Sequence, residues 1–244
     1  MEGQVRRGEL FRLALGFLTI FPVGEVQGSL SQASFFFPLV GLFLGLLSLL
    51  WWELLLFLTQ SPLFSAFCTV FLGVFLTRGL HLDGLADVCD AWVVEKGRQL
   101  EVLKDSRLGT FGVLGVVFAL GMKVLLLSEI RNPWYILLTP FFGRIGVLEL
   151  GLFFPPLFPD RGLGKELLGR VPLGFFLFWV GLSALGMGWW QGAGHLLKIG
   201  IHFGIIYTLG KWCTERFGGL NGDMLGAGVE LGEMLTLLFG WFWP

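Results

Sequence analysis

Charge is what this chain has least of. Asp, Glu, Lys and Arg make up 14% of its 244 residues, where an average soluble domain carries about 25%, so a free-standing globular domain is excluded. The two signs nearly cancel, to a net charge of −1, and without a basic excess no nucleic-acid partner is expected. Cysteine is scarce as well. Cys68, Cys89 and Cys213 fit neither a zinc spacing nor a disulfide framework, an odd count needs no oxidising compartment, and they read as small apolar fillers. Several catalytic motifs are missing too: there is no G-x-S-x-G elbow and no H-E-x-x-H zinc site. The string "RGLGKE" at 161 to 166 is not a P-loop, because Pro159 stands five before Gly164 and Glu166 follows the lysine. What chemistry the chain has must rest on carboxylates, cations and glycine-rich loops.

Apolar sequence is abundant. Hydrophobic residues reach 55%, aromatics 16%, glycines number 37, and the mean hydropathy is +0.76. The expected class is all-α, a polytopic integral membrane protein forming one membrane-embedded domain over residues 1–244. A span needs roughly 20 apolar residues, and seven stretches qualify: 35–58, 62–80, 108–128, 133–154, 172–190, 195–210 and 224–243. The sixth is short and the last carries Glu230 and Glu233, so six to eight spans are expected. Residues 1–30 read as an interfacial amphipathic segment rather than a cleaved signal peptide, because the apolar stretch carries Arg12, lacks a small-residue cleavage site and ends at Phe21-Pro22.

Cationic residues set the expected orientation. Arg6, Arg7 and Arg12; Arg78, Lys96, Arg98, Lys104 and Arg107; Arg161, Lys165 and Arg170; and Lys211 and Arg216 all fall on the side that holds the N-terminus, which makes 13 of the 17 Lys and Arg. The opposite loops hold Arg131, while Lys123, Arg144 and Lys198 lie inside spans. By the positive-inside rule the N-terminus is cytoplasmic and "WFWP" at the end lies outside. The polar segments 77–107 and 211–223 then open to the cytoplasm.

Those two segments hold the unusual residues. In "RGLHLDGLADVCDAW", residues 78 to 92, Asp83, Asp87 and Asp90 fall at i, i+4 and i+7, on one face of a helix. Three like charges on a partly desolvated face repel, and a divalent cation such as Mg²⁺, which takes carboxylates together with substrate phosphates, relieves the repulsion. A solvated helix end is the plain alternative. Arg78 and His81 adjoin the acids as candidate substrate contacts. Further on, "KDSRLGTFG" at 104 to 112 offers Asp105 as a fourth carboxylate, Lys104 and Arg107 as cations, and Ser106 as a donor near a helix N-terminus. Its plain reading is a positive-inside loop with an ordinary cap. In "FGGLNGDMLGAGVELGE", Asp223 and Glu230 share a helical face after a glycine-rich run. Here the alternative is that Glu230 and Glu233 snorkel to the interface. Arg144, midway along the fourth span, needs a carboxylate or a substrate phosphate as its partner. Lys123, Glu149 and Glu53 read as local pairs or interface residues, and His195 and His202 as packing residues.

Clustered acids and cations at one membrane face suit metal-assisted transfer of a phosphate-containing group to an alcohol. The strings "GLHLDGLADVCDAW", "KDSRLGTFGVLG" and "NGDMLGAGVELGE", with "FLTIFPV" near the start, resemble the signature blocks of the cobalamin synthase family of adenosylcobinamide-GDP ribazoletransferases, in the family's order and over essentially the whole chain. The resemblance implies an inner-membrane, Mg²⁺-dependent enzyme that joins adenosylcobinamide-GDP to α-ribazole or its 5'-phosphate and releases GMP. It implies Asp83, Asp87, Asp90 and Asp105 as metal and pyrophosphate ligands, and Lys104 and Arg107 as phosphate partners. Asp223, Glu230 and Asn221 would complete the pocket or orient the ribazole hydroxyl. The implied partners are the corrinoid-GDP, α-ribazole and the lipid bilayer; self-association and association with other corrinoid-assembly enzymes stay open. Two positions depart from the family pattern, Asn221 where Thr is expected and Ala91 where Gly is expected.

Rival readings remain. The acid spacing is loosely similar to the D-x-x-D-G-x-x-A-R motif of CDP-alcohol phosphotransferases, but Asp87 stands where the arginine would be. A cation-coupled transporter would place acids near the bilayer midplane with access from both sides, and a structural subunit would leave the grouped acids unexplained.

Overall fold

A computed structural model describes residues 6–105, 107–191 and 194–242. Among them are eleven α-helices: α1 (Arg7–Leu18), α2 (Leu30–Ala33), α3 (Phe37–Thr59), α4 (Pro62–Leu76), α5 (Leu80–Val93), α6 (Gln99–Val102), α7 (Thr110–Ser128), α8 (Trp134–Phe153), α9 (Leu173–Gln191), α10 (Gly194–Phe217) and α11 (Gly222–Phe242). No strand occurs among the described residues; an isolated bridge joins Pro156 to Leu220.

Each of the seven apolar stretches becomes a helix. Four helical segments are long and apolar enough to cross a membrane: Leu30–Thr59, Thr110–Ser128, Trp134–Phe153 and Gly222–Phe242. Counting α4 with α5, which meet at a bend of 91°, gives five. The difference from the expected six to eight has local causes. The stretch 62–80 breaks at Arg78 and Gly79, both left-handed with φ of 56° and 66°. Helix α10 dilutes its apolar residues with Lys198, Lys211, Glu215 and Arg216.

The ends of the helices follow from their residues. Ser61 accepts the Phe64 N–H and Pro62 starts α4, so the "TQSP" turn stops one helix and begins the next. In α3, Gly41 and Gly45 face α8 so closely that a Cβ on Gly41 would lie 2.6 Å from the Pro140 carbonyl oxygen, a small-xxx-small contact of the kind that packs membrane helices. Helix α8 is buried along most of its length and lies between α3 and α11, while α11 packs against α5, and α5 against α7. The N-terminal α1 joins this core through Ala14 and Leu18. Side chains such as Phe71, Phe118 and Leu185 point outward from the bundle, where lipid can solvate them.

Candidate active site

The break at Arg78-Gly79 turns the chain so that α5 crosses α11. A left-handed arginine is an uncommon, strained conformation that persists where surrounding structure holds it, and here the Arg78 guanidinium donates to the Gly16 carbonyl of α1 at 3.1 Å. The crossing needs residues without side chains. A Cβ on Gly84 would lie 2.6 Å from the Asp223 carbonyl oxygen, and one on Gly226 would lie 3.2 Å from the His81 carbonyl oxygen. The glycines of "LDGLAD" and "MLGAG" therefore bring acids of two helices together. Asp83, Asp90 and Asp223 all act electrostatically on Asp87. Among the described residues none of Asp83, Asp87 and Asp223 is in an ion pair. Asn221 fixes the last of them: its amide oxygen accepts the Met224 N–H at 3.1 Å, capping α11, while its amide nitrogen donates to Asp223 Oδ2 at 2.6 Å.

A cleft of about 290 Å³ opens beside this crossing, lined by His81, Asp83, Asn221 and Asp223 on one side and by Phe158, Arg161, Gly162 and Gly164 on the other, with apolar walls from Phe17, Phe37, Leu80 and Val229. The second wall belongs to the connection between α8 and α9, which is fastened to the turn before α11. Leu157 N–H donates to the Leu220 carbonyl at 2.6 Å and Leu220 N–H to the Pro155 carbonyl at 2.9 Å. Asp83 also borders a second, open cavity of about 530 Å³ that includes Arg78 and Leu108.

The other predicted site residues have partners of their own. Both oxygens of Asp90 are engaged, accepting the backbone N–H of Gly109 at 2.7 Å and of Gly112 at 2.8 Å. Asp90 thus caps α7 from a neighbouring helix, a position where a carboxylate also meets the positive end of the helix dipole. Asp105 is gripped by Arg107 through its backbone N–H at 3.1 Å and its guanidinium at 2.6 Å. Those bonds hold the Asp105 carboxyl down at about 2 and raise Arg107. Lys104 lies 5.6 Å from the centre of the Phe158 ring. Ser106 lies outside the described residues.

Glu230 and Arg144 do not line the cleft. They border an inner chamber of about 80 Å³ together with Lys123, Glu233, Thr69, Thr139 and His81. Lys123 Nζ is 2.6 Å from both Glu230 and Glu233, and Arg144 pairs with Glu233. The carboxylate partner expected for Arg144 is therefore Glu233, from α11. His81 is the residue common to chamber and cleft. Its Nε2, Arg144 Nε and Thr69 Oγ1 are buried without a hydrogen-bond partner among the described residues, and a chamber of this size and polarity has room for water. His195 and His202 are buried, the latter against Phe142 and Phe203.

Among the described residues no group of three or more His, Cys, Asp or Glu side chains forms a ready metal cage. The donor set at the crossing is nonetheless all oxygen and carries uncompensated negative charge, which suits Mg²⁺, an ion that keeps waters and combines one or two carboxylates with substrate phosphates. Sequence reasoning missed Arg161 and Phe158. They sit in "PPLFPDRGLG", a loop set aside once it failed as a P-loop; the available signal was a cation inside a Pro- and Gly-punctuated connection on the cation-rich side.

Comparison with known proteins is consistent over the whole chain. The family model described as cobalamin-5-phosphate synthase matches residues 10–241. An adenosylcobinamide-GDP ribazoletransferase of Acinetobacter baumannii is 33% identical over 246 residues, covering 96% of this chain and 98% of its own. Enzymes of the same name from Stutzerimonas stutzeri and Citrobacter koseri are 36% and 34% identical, covering 93% and 94% of this chain and 95% and 98% of their own. No solved structure matches.

Proposed function

The chain belongs to the cobalamin-5-phosphate synthase family, and from that membership we propose that it joins adenosylcobinamide-GDP to α-ribazole or its 5'-phosphate and releases GMP. A ribazole hydroxyl oxygen forms a bond to the phosphorus nearer the corrinoid. The bond from that phosphorus to the bridging oxygen breaks, and GMP leaves with the bridging oxygen and its electron pair. The observation that carries this reading is the crossing of α5 and α11, which brings Asp83 and Asp223 to one cleft with Asp87 close behind them on α5.

In this reading Asp83 and Asp87 hold Mg²⁺. When bound, the ion neutralises the pyrophosphate and polarises the attacked phosphorus. Asp223, aimed by Asn221, accepts the proton of the incoming hydroxyl; its hydrogen bond to the amide leaves Oδ1 for that task. Asp90 sets the start of α7 against α5, and Asp105 orients Arg107, so these two acids act through the loop they hold. Lys104 and Arg107 are the phosphate partners. His81, and behind it Glu230 and Arg144, support the cleft floor, and Arg78 fixes the bend. The apolar wall of Phe17, Phe37 and Val229 receives the bulky organic part of a substrate. The cation distribution supports a cleft that opens to the cytoplasm, and the bacterial relatives support the inner membrane as its location.

The deciding experiment incubates the purified protein in nanodiscs with adenosylcobinamide-GDP, α-ribazole and Mg²⁺ and separates GMP and cobalamin by chromatography. Absence of both, where the Acinetobacter relative forms them, would sink the reading. Asp83→Asn should abolish turnover at unchanged folding, and near-normal activity would remove Asp83 from the site.

A further inference from the structure

We propose that Arg161 and Lys104, gathered on the ring of Phe158, form the site that binds the phosphate of the departing nucleotide, an inference that rests on the transfer reaction proposed above. Arg161 lies 4.5 Å and Lys104 5.6 Å from the centre of that ring, so two cations from separate segments share one aromatic ring. Among the described residues neither is in an ion pair, whereas their neighbour Arg107 is held by Asp105. The ring quadrupole attracts each cation, and a bound anion would supply the counterion that neither has among the described residues.

The position of Arg161 is built by the fold. The loop that carries it is tied to the turn before α11 by the Leu157–Leu220 and Leu220–Pro155 bonds. A Cβ on Gly164 would lie 3.0 Å from the Gly222 nitrogen, so the loop presses directly on the residues that present Asp223. Arg161 therefore lines the same cleft as Asp83 and Asp223. A pyrophosphate whose attacked phosphorus sits by the acids has its second phosphorus in this cleft, and that group gains charge as the bridging bond breaks. A guanidinium meets phosphate oxygens in bidentate fashion, and fixed cations at a developing charge stabilise the transition state. Phe158 is a positioning residue that keeps both cations at the rim.

The ligand chemistry is an anionic phosphate group, which GMP, the 5'-phosphate of ribazole phosphate and an anionic lipid headgroup share. The test measures steady-state kinetics in nanodiscs and product inhibition by GMP for the wild type, Arg161→Ala, Arg161→Lys, Lys104→Ala and Phe158→Leu. The expected result for Arg161→Ala is a rise of about tenfold or more in both the KM for adenosylcobinamide-GDP and the GMP inhibition constant, with the KM for α-ribazole unchanged. Arg161→Lys and Lys104→Ala should give smaller rises, and Phe158→Leu should raise the GMP constant and the KM for adenosylcobinamide-GDP together, with the KM for α-ribazole unchanged. Unchanged GMP inhibition in Arg161→Ala overturns the proposal. So does a change confined to the KM for ribazole phosphate, which assigns the cations to the acceptor, or one confined to the dependence on anionic lipid, which assigns them to the membrane. Direct binding of GMP to the wild type and to Arg161→Ala reads the site even where no turnover occurs. Absent turnover with intact, Arg161-dependent GMP binding would sink the transfer reaction and spare the site, while turnover with Arg161-independent GMP binding would do the reverse.

Discussion

At the scale of single residues, the acids divide by what already holds them. Asp83 and Asp87 are in no ion pair among the described residues, while Asp90 spends both oxygens on the first turn of α7. Removing a cap costs about 0.5–2 kcal/mol. Asp90→Ala should therefore lower the thermal midpoint in detergent, whereas Asp83→Asn should leave it in place, and equal midpoints for the two variants would show that the cap contributes nothing. Asp105 gives a pH prediction. Its carboxyl is held at about 2, below the ordinary value, so the Arg107 pair is fully formed above the ordinary carboxylate range and is lost only as pH falls through about 2. A carbon-detected titration of Asp105 should show its midpoint there, and one near 4 would mean that the pair is open in solution. Spacing alone put Asp83, Asp87 and Asp90 on one face; it did not reveal that Asp90 is occupied. Its partners are backbone N–H groups of Gly109 and Gly112, and nothing in the residue types of those two glycines advertises a free donor.

At the scale of elements, most of the architecture was readable because long apolar runs have few options in lipid, where a helix satisfies its own backbone. The seven stretches all became helices. The bend between α4 and α5 was not readable, since it depends on Arg78 adopting a left-handed conformation and on the Gly16 carbonyl that receives its guanidinium. The crossing of α5 and α11 was half readable. Glycines flank the acids in both strings, but which helix each would meet is a matter of tertiary packing. Gly84 tests that crossing. A Cβ there would meet the Asp223 backbone at 2.6 and 2.8 Å, and neither partner is a flexible side chain that can give way. Overpacking of this kind costs about 1–3 kcal/mol, and the displacement moves Asp83 away from Asp223. Gly84→Ala should thus lose activity out of proportion to its loss of stability. The comparison to make is turnover against thermal midpoint, with Gly121→Ala, which meets nothing within 4 Å, as the control.

At the scale of the molecule, the cleft stands on a polar interior. Lys123 from α7, Arg144 from α8, and Glu230 and Glu233 from α11 tie three membrane helices together below His81. These charges balance as a set of two cations and two anions, so each is tolerable in a bilayer only while its partners remain. The sequence showed that Arg144 needed a carboxylate or a substrate phosphate but not which of them it has. Glu233 had seemed free to reach the interface, and it is the fold of α11 against α8 that turns it inward. Neutralising one member should be far more damaging than replacing a matched pair. Arg144→Met leaves Glu233 with Lys123 alone, and losing one partner of a buried pair costs about 3–5 kcal/mol. Adding Glu233→Gln removes the uncompensated charge and should recover much of that loss. The measurement is a double-mutant cycle on the thermal or chemical unfolding midpoint in nanodiscs. Additive losses would mean that the two side chains are independent, and that the chamber beneath the cleft is not one electrostatic unit.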